Sequence, residues 1–148
     1  MPEQGLSSTA VLAPNSVEEL GQLIADLHAE GRPWVPSGLG SRLHWGPPLA
    51  ADSGPVLSMR ELSGIIDHAV DDLTITVDAG MPLADLQAAL AEHQQWLPLN
   101  WPWGSSMASP SSAGTIGGLV ARGLSGGLRQ RHLGVRDQII GISLIRSD

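Results

Sequence analysis

The sequence contains no cysteine, lysine, phenylalanine or tyrosine. Without cysteine, disulfides, thiolate metal sites and cysteine nucleophiles are excluded, and nothing favours an oxidising compartment. Without lysine, the chain has neither a Schiff-base residue nor a P-loop lysine. Its 8 cationic residues are all arginines and stand against 15 acidic ones, which gives a net charge of −7. We therefore expect no general attraction to nucleic acid or to an anionic membrane surface.

Long apolar runs are missing as well. No segment approaches the ~18 residues of a membrane span, and the first residues show no basic leader followed by an apolar stretch. The 148 residues leave room for one domain with a real core, and we take residues 1–148 as that domain. A cytoplasmic protein without a membrane span is the resulting expectation.

Glycine is abundant, with 18 residues, and it is densest in residues 111–137. Gly114, Gly117 and Gly118 remove side chains around Thr115, so consecutive N–H groups there can face an anion. Phosphate is the expected occupant, because the N–H groups of a helix N-terminus bind it for the same reason. A flexible glycine loop is the alternative interpretation.

A shorter glycine loop, residues 37–42 (SGLGSR), is called the first glycine loop below. Its two glycines match the start of a dinucleotide-binding Rossmann turn. Leu43, however, stands where the third glycine is required, and Pro47 prevents the helix that should follow. The Rossmann interpretation therefore fails. The hydroxyls of Ser37 and Ser41, beside the amides of the loop, still suit a diphosphate.

Helices and strands alternate along much of the chain. Helical spacing of apolar residues predicts one helix from a capping box at Ser16 to a stop at Gly31, and a second from Pro82 to near His93. Extended or strand segments are predicted at residues 32–36, 56–58, 65–67, 73–77, 96–99 and 139–145. Such an alternation, with glycine loops after extended segments, suits a diphosphate cofactor.

Six short motifs are spread over most of the chain. They are NSVEEL at residues 15–20, PSGLGS at 36–41, DLTITVDAG at 72–80, AGTIGG at 113–118, GLSG at 123–126 and GVRD at 134–137. Together they resemble the FAD-binding domain of the vanillyl-alcohol oxidase and p-cresol methylhydroxylase (PCMH-type) superfamily. The similarity covers roughly residues 11–145. Within the superfamily, the pattern looks like that of the flavin-binding subunit of bacterial glycolate oxidase.

The resemblance implies an α+β fold class, namely a PCMH-type FAD-binding domain of two small α/β subdomains that is C-terminally incomplete here. It implies that the pyrophosphate of FAD lies on the first glycine loop, and that the flavin lies along residues 113–118, called the second glycine segment below. No catalytic residue can be named, and no metal site is expected because the histidines are scattered singly. The cofactor-binding residues implied by the resemblance are Pro36, Ser37, Gly38, Leu39, Gly40, Ser41, Ala113, Gly114, Thr115, Gly117, Gly118 and Ser125.

The resemblance also implies a function. The chain would be the FAD-binding domain or subunit of a flavin-dependent oxidoreductase that oxidises a small 2-hydroxy acid, such as glycolate, with partner subunits of an oxidase complex. The family's flavin domain continues with further strands and a cap domain, which would be absent from residues 1–148. A non-catalytic remnant or assembly subunit with weak FAD binding is therefore the alternative, and another phosphate ligand in the glycine loops is a third possibility.

Four further residues, His44, Trp101, Trp103 and Arg42, are candidates for a role beside the cofactor. Some members of the superfamily attach FAD through a histidine of the first glycine loop, but His44 lies beyond the expected position, so we favour a packed or solvent-facing histidine. Trp101 and Trp103 offer indole faces that can stack on a flavin or adenine ring, although such residues more commonly anchor a loop. Arg42 can add a positive charge beside a bound diphosphate.

Overall fold

The structure is a computed structural model, and it describes residues 10–43, 45, 52–99, 114–123 and 125–147. His44, Trp101, Trp103 and Ala113 lie outside the described residues. The mixture of helices and small sheets confirms the predicted α+β class. The elements are, in chain order, β1 (Val11–Leu12), α1 (Val17–Ala29), β2 (Val35–Ser37), β3 (Val56–Ser58), β4 (Ile65–Ala69), β5 (Thr74–Val77), α2 (Leu83–Ala91), α3 (Ile116–Arg122), α4 (Arg129–His132) and a 3-10 helix (Arg136–Gln138).

Helix α1 begins and ends where its capping residues predict. The hydroxyl of Ser16 accepts the N–H of Glu19 at 3.1 Å, and the carboxylate of Glu19 accepts the N–H of Asn15 at 2.8 Å. This reciprocal arrangement satisfies amides that the helix itself leaves without partners. At the other end, Gly31 adopts a left-handed backbone with φ of 62°. That conformation stops the helix and strongly favours glycine.

The first sheet packs against α1 and positions the first glycine loop. Its three strands are parallel, in the order β1-β3-β2, so β3 is central and entirely buried. A central parallel strand is covered on both faces, which explains its lack of polar alternation. Because β2 and β3 are parallel, their carboxyl ends meet at one edge of the sheet, where the first glycine loop begins. The core cluster here consists of Leu20, Ile24, Leu57 and Leu62.

The second sheet is the antiparallel pair β4-β5, with a turn at residues 70–73 between the strands. The chain then returns to the first sheet through Gly80, whose N–H donates to the carbonyl of Leu62 at 2.8 Å. A Cβ atom on Gly80 would lie 2.7 Å from the carbonyl carbon of Met59. Only glycine permits this close approach, which fixes the start of α2 relative to the first sheet.

Helices α2 and α3 share a second core. Leu83, Leu119 and Val135 form one buried cluster, and Met81, Leu86 and Leu90 form the next. The apolar spacing that predicted α2 therefore corresponds to its buried face. Helix α2 ends at Ala91, two residues before the predicted end near His93.

Two predicted strands do not form. At residues 96–99, the side-chain amide of Gln87 takes the place of a neighbouring strand: its Oε1 accepts the N–H of Leu97 at 3.0 Å, and its Nε2 donates to the carbonyl of Leu97 at 2.8 Å. At residues 139–145, no strand among the described residues pairs with the segment. Ile140, Ile142 and Leu144 are consequently exposed. A short apolar run is an insufficient signal because a strand also needs a backbone partner.

Candidate functional site

A cavity of about 260 Å³ lies between the first glycine loop and α3. It brings together two chain segments that are far apart in the sequence. Nine of the twelve residues predicted to bind cofactor line it. The described lining residues are Pro36, Ser37, Gly38, Leu39, Gly40, Ser41, Arg42, Leu43, Gly114, Thr115, Gly118, Ala121 and Arg122.

The first glycine loop is held through its carbonyl groups. The carbonyl of Ser37 accepts the N–H of Met59 at 2.8 Å, and the carbonyl of Gly38 accepts the hydroxyl of Ser58 at 3.2 Å. Gly40 adopts a left-handed backbone with φ of 73°. With the carbonyls bound to the first sheet, the loop can present its N–H groups to the cavity.

The backbone amides of this loop are available to a ligand. Among the residues that the structure describes, the N–H groups of Leu39, Gly40 and Ser41 form no hydrogen bond. Three consecutive amide donors beside a cavity are a common way of binding the oxygens of a phosphate group. The sequence-based interpretation of this loop is consistent with its geometry.

The second glycine segment behaves differently. The N–H of Ile116 donates to Met81 O at 2.9 Å, the N–H of Gly117 donates to Ala79 O at 2.8 Å, and the N–H of Gly118 donates to Thr115 Oγ1 at 3.3 Å. These amides are satisfied within the protein. The prediction that they face an anion is therefore wrong, because the segment pairs with the chain that leads into α2.

The glycines of both segments allow close packing of protein on protein. A Cβ atom on Gly38 would lie 2.6 Å from Thr115 Cγ2, and a Cβ atom on Gly114 would collide with the guanidinium of Arg42. Gly114 also has a left-handed backbone with φ of 80°. Glycine at residues 38 and 114 thus lets the two walls of the cavity meet directly.

Two arginines give the cavity a positive charge. Arg42 belongs to the first glycine loop, and its Nη1 donates to Ser41 Oγ at 2.8 Å. Arg122 belongs to the last turn of α3. The guanidinium carbons of Arg42 and Arg122 lie 5.2 and 5.1 Å from the ring centroid of Trp45. Burial, and secondly the charge of Arg122, lower the pKa of the Arg42 guanidinium from its ordinary value. Both groups suit an anionic ligand.

Arg122 was missed by the sequence reasoning, although the sequence held a signal for it. Gly118, Ala121 and Arg122 are spaced at i, i+3 and i+4, and residues so spaced share one face of a helix. Since Gly118 was already a candidate, the position of Arg122 followed from the helical period of α3.

The remaining predicted residues lie elsewhere. Gly117 is not in the cavity lining, and a Cβ atom on it would lie 2.8 Å from the carbonyl oxygen of Ala79. Ser125 is also absent from the lining, and its hydroxyl accepts the N–H of Val135 at 3.1 Å. Gly117 and Ser125 therefore contact other parts of the protein, namely Ala79 and Val135.

The part of the chain that the structure describes has neither a membrane-spanning helix nor a metal site. No helix there is long and apolar enough to cross a membrane. No group of three or more histidine or acidic side chains in these residues lies close enough to hold a metal ion.

The fold and the cavity define an α+β domain with an arginine-lined cavity between a glycine loop and a short helix. Comparison with known proteins gives the family. The family described as "FAD binding domain" matches residues 8–148, so the chain belongs to the FAD-binding domain family. The match also confirms FAD as the predicted cofactor.

Several relatives are similar along most of this chain. Glycolate oxidase subunit GlcE of Escherichia coli is 33% identical over 129 residues, which are 87% of this chain and 33% of that protein. Glycolate oxidase subunit GlcD of Bacillus subtilis is 30% identical over 145 residues, which are 97% of this chain and 29% of that protein. D-lactate dehydrogenase (cytochrome) 1 of Saccharomyces cerevisiae is 26% identical over 140 residues, which are 93% of this chain and 22% of that protein. The chain thus spans about a third or less of the length of these relatives.

The fold comparison agrees with the family. A structure of alkyldihydroxyacetonephosphate synthase matches 88% of this chain and 23% of its own, with a TM-score of 0.71 and 20% sequence identity. This similarity confirms the predicted fold, that of a PCMH-type FAD-binding domain.

The residues of the cavity fit one part of FAD. The diphosphate of FAD carries two negative charges, and the cavity offers three amide donors and two guanidinium groups. Pockets that enclose a whole ligand usually measure roughly 300–1,000 Å³. At about 260 Å³, the cavity that the described residues line has room for the diphosphate.

Proposed function

We propose that the chain is the FAD-binding part of a flavin-dependent oxidoreductase that oxidises a small 2-hydroxy acid, such as glycolate, together with partner subunits. The observation that carries this proposal is the row of three amides, Leu39 to Ser41, which have no acceptor among the described residues and lie beside a cavity with two arginines. The names of the relatives support the substrate class, because they include glycolate oxidase subunits and D-lactate dehydrogenases. We retain the cytoplasm as the compartment, in keeping with the absence of cysteine.

The residues of this chain act by binding and orientation. FAD, when bound, supplies the chemistry by accepting a hydride from the substrate. The amides of the first glycine loop hold the diphosphate oxygens, and Arg42 balances part of their charge. Of the predicted residues, we assign cofactor contact to the nine that line the cavity. Gly117 and Ser125 position the segments around it.

The first test of this proposal is retention of FAD. The purified chain is incubated with FAD, desalted, and scanned for flavin absorption near ~450 nm. Gly40→Ala adds a Cβ atom in the loop at a left-handed backbone, and we expect it to reduce the retained flavin several-fold. Gly31→Ala is the matched control, because Gly31 has a similar φ of 62° but ends α1 outside the cavity. Loss of flavin from the folded wild-type chain would contradict the proposal.

The second test concerns catalysis. The flavin-loaded chain is offered glycolate or D-lactate with an artificial electron acceptor. Turnover that requires added partner subunits would support the role of a subunit, and turnover by the chain alone would exclude a non-catalytic remnant.

An assembly subunit with weak FAD binding is the second candidate function. The exposure of Ile140, Ile142 and Leu144 favours it, since exposed apolar side chains at alternate positions are suited to packing against another chain. FAD that dissociates during desalting, together with no turnover under any condition, would favour this candidate over the first.

A further inference from the structure

The cavity carries a charge opposite to that of the chain. The net charge is −7, yet the charged side chains among the described lining residues are the two arginines, Arg42 and Arg122. Within the described part of the chain, Arg122 forms no ion pair with a carboxylate. Although acidic residues are in excess in the sequence, no carboxylate among the described residues neutralises Arg122 at this cavity.

Arg42 and Arg122 belong to different segments of the chain, and both contact the side chain of Trp45. Both guanidinium groups lie about 5 Å from the Trp45 ring, at 5.2 and 5.1 Å. An indole face attracts a cation and holds a planar guanidinium in place. Trp45 can therefore keep two like charges near each other, at an electrostatic cost that an anion between them would remove.

Helix α3 cannot bind an anion through its first turn. The N–H groups of Ile116, Gly117 and Gly118 already have acceptors within the protein. What α3 does present to the cavity is the face that carries Gly118, Ala121 and, in its last turn, Arg122. The side chain of Arg122 thus provides the positive charge that the helix N-terminus does not.

We propose that Arg122 is a diphosphate-binding residue, which Trp45 holds beside Arg42 so that two guanidinium groups neutralise the two charges of the cofactor's diphosphate. This inference rests on the proposed function, because it places the same cofactor in the same cavity. It adds that the wall formed by α3 binds the cofactor through a side chain at its C-terminal end. The alternative is that Arg122 only interacts with the carbonyl end of the α3 dipole.

The test compares binding of FAD and of inorganic pyrophosphate by calorimetry at low and high salt. We expect Arg122→Gln to raise the dissociation constant of both ligands about tenfold at low salt, because a charge-assisted hydrogen bond is lost. The dependence of affinity on salt should also become weaker. Arg122→Lys keeps the charge but not the planar fork, so it should recover part of the affinity.

Arg131→Gln is the matched control, because it removes the same charge from an exposed residue that does not line the cavity. Circular dichroism checks that each variant is folded. If wild type retains FAD and Arg122→Gln binds as tightly as Arg131→Gln, the inference is overturned while the proposed function stands. If wild type binds pyrophosphate in an Arg122-dependent way but does not bind FAD, the proposed function fails and the anion site stands. If the folded wild type binds neither ligand, both are overturned.

Discussion

Gly38 and Thr115 touch where the two walls of the cavity meet. A Cβ atom on Gly38 would lie 2.6 Å from Thr115 Cγ2 and 3.0 Å from Thr115 Cβ. Thr115 is 4% exposed, and its Oγ1 caps α3 by accepting the N–H of Gly118 at 3.3 Å. The contact between Gly38 and Thr115 therefore holds the first glycine loop against the start of α3. The same contact sets the distance between the two walls of the cavity.

This contact predicts a coupled pair of substitutions. Gly38→Ala should lower the free energy of unfolding by about 1–3 kcal/mol, because the added methyl group overpacks against Thr115. Thr115→Ala should cost about 1 kcal/mol through loss of the helix cap. Since Thr115→Ala also removes Oγ1 and Cγ2, the two atoms nearest to the methyl group that Gly38→Ala adds, the double variant should cost at least about 0.5 kcal/mol less than the sum. Urea unfolding of the four proteins measures the coupling. Strictly additive costs would mean that the two residues do not touch.

Two helical glycines should respond to alanine with opposite signs. A Cβ atom on Gly117 in α3 would lie 2.8 Å from the carbonyl oxygen of Ala79 and 2.9 Å from its Cβ. Gly117→Ala should therefore lower the free energy of unfolding by about 1 kcal/mol or more. A Cβ atom on Gly21 in α1 would meet no described atom within 4 Å. Gly21→Ala should raise the free energy of unfolding by roughly 0.5–1 kcal/mol, because alanine favours a helix. Thermal melts followed by circular dichroism compare the two, and a stabilising Gly117→Ala would contradict the close packing of α3 against Ala79.

Most of the framework could be predicted from the sequence because its signals are local. The cap of α1 at Ser16, the stop at Gly31 and the apolar spacing of α2 depend on residues within one or two turns of each other. The first glycine loop was predictable for a similar reason. Its glycines and serines follow an extended segment directly, and they line the cavity.

The parts that were mispredicted depend on distant partners. The glycine density of residues 113–118 indicated a close approach correctly, but the amides of Ile116 and Gly117 donate to the carbonyls of Met81 and Ala79 and not to an anion. Leu97 pairs with the side chain of Gln87, which a short apolar run cannot reveal. Arg122 lines the cavity only because α3 packs opposite the first glycine loop. In each case the partner is determined by the tertiary structure and cannot be identified from neighbouring residues in the sequence.

The first glycine loop should loosen when its support from β3 is removed. Ser58 is 1% exposed, and its hydroxyl donates to the carbonyl of Gly38 at 3.2 Å. Ser58→Ala leaves this carbonyl without that donor, so the free energy of unfolding should fall by about 1 kcal/mol. FAD should also bind more weakly, since the loop amides lose part of their fixed orientation. Ser63→Ala is the control, because Ser63 forms no hydrogen bond among the described residues. Equal FAD dissociation constants for Ser58→Ala and wild type would show that the loop is held by other contacts.

Ser125 allows packing and cofactor contact to be separated. Its hydroxyl accepts the N–H of Val135 at 3.1 Å, and Val135 is buried in the second core. Ser125→Ala should therefore lower the free energy of unfolding by about 1 kcal/mol and leave the FAD dissociation constant of the folded protein unchanged. Titration with FAD, next to urea unfolding, measures both quantities. A dissociation constant that rises several-fold in the folded variant would restore Ser125 to the cofactor-binding set.

The exposed segment at residues 139–145 should govern self-association more than folding. Ile140 and Leu144 are 85% and 77% exposed, and neither belongs to a core cluster of the described residues. Replacing both by serine should change the free energy of unfolding by less than about 0.5 kcal/mol, as is usual for exposed positions. It should also reduce concentration-dependent light scattering, because exposed apolar side chains favour aggregation. Ile139 is the contrasting site, since it packs on the second core, and Ile139→Ser should destabilise the fold instead. If the double serine variant unfolds as readily as Ile139→Ser, Ile140 and Leu144 contribute to the core and are not simply exposed apolar side chains.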